Sequence, residues 1–94
     1  MRVLNKKLVN EFANTHPEAK EALQSWVAEL DDAEWETPMD LKRRFPSASI
    51  LGGKRVVFNI KGNKYRVLAL IDHESGVAIV KRLGTHAEYD DWVL

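Results

Sequence analysis

Two arginines and an amide mark the stretch of this sequence where reactive side chains are most concentrated. Arg66 stands between Tyr65 and Val67 in an apolar run, where an aliphatic side chain or threonine is easier to place. Asn59 and Arg82 lie in neighbouring runs of the same alternating kind, with Arg55, Lys61, Lys64 and Lys81 beside them. Guanidinium forks bind non-bridging phosphate oxygens and stabilise the charge that grows on them in a transition state, so this set on one sheet face suits a phosphate diester. A second cluster is Gly84-Thr85-His86-Ala87-Glu88-Tyr89-Asp90. Thr85 and Glu88 have the spacing of a capping box, which puts His86 and Tyr89 at i and i+3 in the first turn of a short helix. An imidazole titrates close to neutrality and can move a proton, and a phenol can donate a hydrogen bond or stack on a base. A solvated basic sheet face, a surface histidine and a packing tyrosine account for the same residues, and the pattern alone does not choose.

The elements that must position these residues follow from periodicity. Leu4, Leu8 and Phe12 recur every fourth residue and predict a short amphipathic helix ending before Thr15. Thr15 and Glu18 have capping-box spacing, and Leu23, Trp26, Val27 and Leu30 form the apolar stripe of a second helix. Thr37-Pro38, with Asp40 at the third helical position, opens a third that carries Leu41 and Phe45 and stops at Pro46. From Ile50 the period becomes two. Strands are expected over Val56 to Ile60, Tyr65 to Ile71 and Val77 to Leu83, with a short edge strand at Ile50-Leu51. A two-residue turn at Gly62-Asn63 puts Lys61 opposite Lys64. Val56, Phe58, Ile60, Tyr65, Val67 and Ala69 then share the face that helices must cover, and Arg55, Val57, Asn59, Lys61, Lys64, Arg66, Leu68 and Leu70 share the other. With Gly76 left-handed in the next loop, Arg66 is expected to face Arg82, with Asn59 on its far side; a one-residue slip would substitute Lys81. The expected fold class is α+β: N-terminal helices on one face of a three- to four-stranded antiparallel sheet, then a short C-terminal helix, forming a single domain over residues 1–94.

Composition narrows the function. The 94 residues are 45% hydrophobic and 30% charged, which fits one ordinary domain. With no cysteine there is no disulfide scaffold, thiol nucleophile or Cys-based zinc site, and three dispersed histidines show no metal-ligand spacing, so no cofactor is expected. No apolar run approaches the roughly 18 residues of a membrane span, and the opening Met-Arg-Val-Leu-Asn-Lys-Lys does not lead into a signal-peptide core. A cytoplasmic location without membrane contact is expected. The net charge is zero but segregated: residues 1–36 carry −4, residues 37–83 carry +7 and the last eleven carry −3. Such asymmetry suggests an anionic ligand or partner for the middle of the chain. Lys42-Arg43-Arg44 suits a helix C-terminus and also suits an RNA backbone. His16 reads as a neighbour of a helix start, His73 as a turn residue, and Trp26 and Trp35 as core; Trp92 reads equally as core or as a partner contact.

The helices followed by Lys54-Arg55-Val56-Val57-Phe58-Asn59-Ile60, Gly62-Asn63, Tyr65-Arg66-Val67 and Thr85-His86-Ala87-Glu88-Tyr89-Asp90 resemble the HigB-type toxins of bacterial type II toxin-antitoxin modules, within the RelE/ParE-like group. The resemblance spans nearly the whole chain. It implies a RelE-like fold and a ribosome-dependent endoribonuclease that cuts translated mRNA in the ribosomal A site. It also implies neutralisation by a HigA-type helix-turn-helix antitoxin. In that light Arg66 is the phosphate clamp, Lys54 and Arg82 are supporting charge, His86 is the acid or base, and Tyr89 orients or stacks on the substrate. Arg55, Asn59, Lys61, Lys64 and Lys81 would hold RNA. Lys54 falls on the apolar face by strict alternation, so its role requires a bulge at Gly52-Gly53. Two other readings stay open: a non-enzymatic inhibitor like the ParE-like toxins, which has no need of the histidine-tyrosine pair, and a module member that binds its antitoxin alone.

Overall fold

A computed structural model describes residues 1–93. Five strands form one sheet in the order β1-β5-β4-β3-β2, where β1 is Arg2–Leu4, β2 Ser49–Ile50, β3 Arg55–Ile60, β4 Tyr65–Asp72 and β5 Val77–Thr85. Helices α1 (Lys6–Thr15), α2 (Lys20–Asp32) and α3 (Pro38–Arg44) precede β2, and α4 (His86–Asp90) follows β5. The architecture is α+β as expected. The sheet, however, is mixed rather than antiparallel, because β1 runs parallel to β5 with Val3 opposite Ala78.

That first strand corrects the reading of Leu4 as helical. Three extended residues bury Val3, and Asn5 turns the chain into α1 through a left-handed backbone (φ 70°). Asn and Asp tolerate that conformation better than other side chains with a Cβ. The Asn5 amide then donates to the Val80 carbonyl (2.9 Å), extending the pairing by one step. A strand this short is hidden in sequence because Leu4 continues the i, i+4 series of α1.

The start of the second helix also differs. Thr15 ends α1, its hydroxyl donating to the Glu11 carbonyl (3.3 Å), and a single 3₁₀ turn at Pro17–Ala19 precedes α2 without a side-chain cap. Glu18 instead accepts a hydrogen bond from the Tyr65 hydroxyl. That bond holds the Glu18 carboxyl below, and the Tyr65 phenol above, their ordinary ranges. The third helix begins as expected: Thr37 and Asp40 exchange both bonds of a capping box, and Pro38 occupies the first turn.

The central hairpin has the expected register, with Ile60 opposite Tyr65 and Asn59 opposite Arg66. Its loop turns through left-handed Lys61 and Gly62, and the Lys64 N–H donates to the Lys61 carbonyl (3.4 Å). Val56, Phe58, Ile60, Tyr65, Val67 and Ala69 are all buried against Val9, Ala13, Leu23, Trp26, Leu30 and Leu41. Phe58 sits at the centre, with the rings of Trp26 and Phe45 each 5.2 Å from its own. The helices therefore cover one face, and the opposite face is left for the site.

Candidate anion-binding site on the open sheet face

The second hairpin determines which side chains meet on this face. Gly76 is left-handed as expected (φ 70°), and Asp72 pairs with Val77. One extra residue in β5, Lys81, is accommodated as a bulge between the pairs Ala69–Val80 and Leu68–Arg82. Beyond it Arg66 faces Gly84, not Arg82 or Lys81, which corrects the expected row. Asn59, Arg66 and Gly84 make one row across the sheet, and Val57, Leu68 and Arg82 make the next. Arg82 thus shares the face of Arg66, displaced diagonally, with Cα atoms about 7–8 Å apart.

Arg66 is 8% exposed, the one charged side chain that is buried among the described residues. Its Nη1 donates to the carbonyls of Asn63 (2.7 Å) and Tyr65 (3.3 Å), and its guanidinium carbon lies 5.3 Å from the centre of the Tyr89 ring. Among the described residues no carboxylate lies within 4.0 Å of it. Placing a cation in such surroundings costs free energy unless an anion joins it. A guanidinium has five N–H donors in a planar fork, so the group can still accept a bidentate oxyanion.

Helix α4 brings the other chemistry. Thr85 and Glu88 form the expected capping box, their bonds 3.1 and 2.8 Å, and the His86 backbone N–H donates to the Lys64 carbonyl (2.9 Å). The bonds from Thr85 hold the Glu88 carboxyl below the usual carboxylate range, with Arg82 adding a smaller attraction. His86 is exposed and lines a shallow depression with Asn63, Lys64, Tyr65 and Thr85. Tyr89, three residues on, is half-buried beneath Arg66.

Two neighbours of this site were not assigned to it from sequence, Trp92, whose core reading holds, and Gly84. Trp92 is buried, meets the Tyr89 ring edge-on at 5.3 Å, and carries the Arg82 guanidinium 4.8 Å from its ring centre. Gly84 is the seat for that indole. The signal was present in the i, i+3 spacing of Tyr89 and Trp92.

The remaining candidates divide. Lys64 and Lys81 are exposed on or beside this face. Lys61 donates to the Glu18 carbonyl (2.9 Å) and Asn59 to the Ser47 carbonyl (3.1 Å). Lys54 and Arg55 are not brought together with Arg66. No bulge forms at Gly52-Gly53; Gly53 and Lys54 are left-handed turn residues, and Lys54 pairs with Asp72 (3.3 Å) at the far end of β4, about 20 Å along the strand from Arg66. Arg55 donates to the Gly52 carbonyl (2.7 Å) at the same end. The Lys42-Arg43-Arg44 run is tied internally: Lys42 to the Ala48 carbonyl, Arg43 to Asp40 and Arg44 to Glu29. No helix among the described residues is long and apolar enough to cross a membrane.

Helices on one face of a small sheet, with a buried arginine that meets no carboxylate among the described residues and its aromatic support on the other, make an α+β protein with a candidate oxyanion site. Known proteins give this class a family. Residues 19–92 match the HigB toxin family, described as the RelE-like toxic component of a toxin-antitoxin system. Over 92 residues the chain is 30% identical to the mRNA interferase toxin HigB of Escherichia coli strain K12, covering 96% of this chain and 88% of that protein. The same identity and coverage hold for the mRNA interferase HigB of Shigella flexneri. The mRNA interferase HigB of Escherichia coli O6:H1 is 29% identical, with 96% and 89% covered. This chain belongs to the HigB toxin family and is the RelE-like toxic partner of an antitoxin.

Proposed function

We propose that this toxin is a ribosome-dependent endoribonuclease that cuts translated mRNA in the ribosomal A site without a metal ion, and that a HigA-type helix-turn-helix antitoxin neutralises it. The observation that carries the reading is Arg66, a buried guanidinium with no carboxylate partner among the described residues, supported by Tyr89 and adjoining the helix that presents an exposed histidine. The relatives named mRNA interferases supply the substrate class.

In the proposed reaction the 2′-oxygen attacks the adjacent phosphorus and loses its proton to a base. The bond to the 5′-oxygen breaks, and that oxygen takes a proton from an acid, leaving a 2′,3′-cyclic phosphate and a 5′-hydroxyl. Arg66 stabilises the negative charge on the non-bridging oxygens, and Arg82 adds a second cation. His86 serves as the acid or the base. The Tyr89 ring keeps the Arg66 guanidinium in place, and Lys64 and Lys81 attract the RNA backbone.

Mapping new mRNA 5′ ends in a reconstituted translation reaction tests this. Cuts that need ongoing translation and vanish in both Arg66→Ala and His86→Ala are expected. Cuts that persist in both variants would refute the site. Growth arrest in cells without cuts would replace the reading with a non-enzymatic inhibitor.

A further inference from the structure

Arg66 and Arg82 do not touch one another, yet each lies over an aromatic ring, at 5.3 Å on Tyr89 and 4.8 Å on Trp92. Those two rings meet edge to face at 5.3 Å and 77°. The four side chains thus form a continuous series, Arg66–Tyr89–Trp92–Arg82, with cations at its ends. Trp92 is the more buried of the two rings, at 9% exposed, so it presents little of its face to a substrate base. Its contacts are with groups that meet the substrate under the proposed function, and with the sheet beneath.

Gly84 shows how closely the indole is seated. A Cβ built at this position would come within 2.8 Å of Trp92 Cζ2 and 3.2 Å of Glu88 Cβ. The first distance is shorter than real carbon contacts, and the obstacle is a rigid ring beneath a helix rather than the mobile end of a side chain. Glycine is needed here for close approach, since Gly84 is absent from the residues with left-handed backbone. On the other side, α4 is five residues long and lacks the length to be stable alone. The Trp92 backbone N–H donates to the Tyr89 carbonyl (3.0 Å), closing the turn that places the indole against the sheet.

We propose that Trp92, seated on Gly84, is a positioning residue of the toxin's active site: it fixes the Tyr89 ring under Arg66 and the plane of Arg82, and so sets the spacing of the two guanidinium groups that receive the substrate phosphates. This rests on the reading of the protein as an mRNA interferase. Without the indole, Tyr89 loses its edge contact and Arg82 its platform, and both groups gain rotamer freedom that must be given up in the transition state. Displacement of reacting groups by about 1 Å can cost on the order of 100-fold in rate.

The test compares kcat and KM for mRNA cleavage in the reconstituted translation reaction. The variants are Trp92→Leu, Trp92→Phe, Gly84→Ala and the double variant Gly84→Ala/Trp92→Leu, each checked for cooperative thermal unfolding. Trp92→Leu is expected to lower kcat about 10- to 100-fold, with a smaller change in KM. Trp92→Phe, which keeps a ring, should recover most of that loss. Gly84→Ala should also lower kcat, and the double variant should be no worse than Trp92→Leu, because the atom the new methyl strikes is gone. Should Trp92→Leu unfold, the Phe and Gly84→Ala variants carry the comparison. A folded Trp92→Leu with unchanged kcat, or losses that multiply in the double variant, would overturn the proposal while leaving the interferase reading intact. Absence of cuts by the unaltered chain would instead overturn the interferase reading. The positioning claim is then decided by NMR: the Arg82 Nε–H and Tyr89 ring signals must move in Trp92→Leu and stay near their original positions in Trp92→Phe.

Discussion

Similar basic residues stand at the two ends of β4, in opposite surroundings. At the Asp72 end, Lys54 meets a carboxylate and Arg55 a backbone carbonyl. At the Arg66 end a more buried cation has carbonyls and an aromatic ring around it and, among the described residues, no carboxylate. An exposed ion pair adds little to stability, and losing it costs little. An unpaired buried cation is a standing cost that an incoming anion relieves. The contrast teaches that a basic residue's surroundings, more than its type, separate fold from function.

The sharpest way to break the comparison is to remove a cation at each end. Arg66→Ala should lower kcat/KM for mRNA cleavage about 100- to 1,000-fold, in line with loss of one charge-stabilising donor. Its thermal stability should hold or rise. Arg66→Lys should not restore activity, because an ammonium cannot make the planar fork. Lys54→Ala, whose side chain is 62% exposed, should leave cleavage within about twofold of the unaltered chain, as expected for loss of a surface ion pair. Equal losses at both ends would end the distinction.

Arg82→Ala, on the same face but solvent-exposed, should cost less, about tenfold, with weaker dependence of KM on salt. Titration of KM against ionic strength checks this. The two capping boxes sharpen the comparison further. Thr85→Ala and Thr37→Ala should each cost about 1 kcal/mol of stability by thermal unfolding. Thr85→Ala alone should also slow cleavage, since α4 carries His86 and Tyr89 while α3 contributes no candidate reactive group.

The smallest effect is that of pH. The carboxyls of Glu88, Asp40 and Asp72 are all held below their ordinary range, chiefly by hydrogen bonds from Thr85, Glu36 and Ser75 respectively. A depressed folded-state value means that the folded protein binds fewer protons than the unfolded chain. These groups therefore stabilise the protein above the ordinary carboxylate pKa, and the stabilisation is lost as pH falls through the depressed values. Thermal unfolding below pH 5 should show this decline, with a shallower slope in Glu88→Gln. An unchanged slope would remove Glu88 from the linkage.

Local rules made much of this legible. The hairpin at Gly62-Asn63 specifies which residues oppose Arg66 on β3, because register follows directly from a short loop. Thr37/Asp40 and Thr85/Glu88 announce two helix starts, each needing contacts within four residues. Thr15/Glu18 has the same spacing and fails, because Tyr65, 47 residues from Glu18, claims the carboxylate. The partner of Arg66 on β5 was not legible for a related reason: the bulge at Lys81 is a choice of the assembled sheet, and one extra residue moves Arg82 from beside Arg66 to the next row. Trp92 was ambiguous because seating it depends on Gly84, whose missing side chain matters once strand and helix are together.

The pairing of β1 with β5 ties the first strand to the last, and Asn5 holds the Val80 carbonyl 75 positions further along the chain. During synthesis β1 emerges long before its partner, and a chain interrupted anywhere before Val77 has neither the neighbour of β1 nor the strand that leads into His86, Tyr89 and Trp92. Long-range pairing of this kind forms late and cooperatively. Under the proposed function, incomplete products of translation would thus be inert, and toxicity would arise after the candidate reacting groups have left the ribosome that made them.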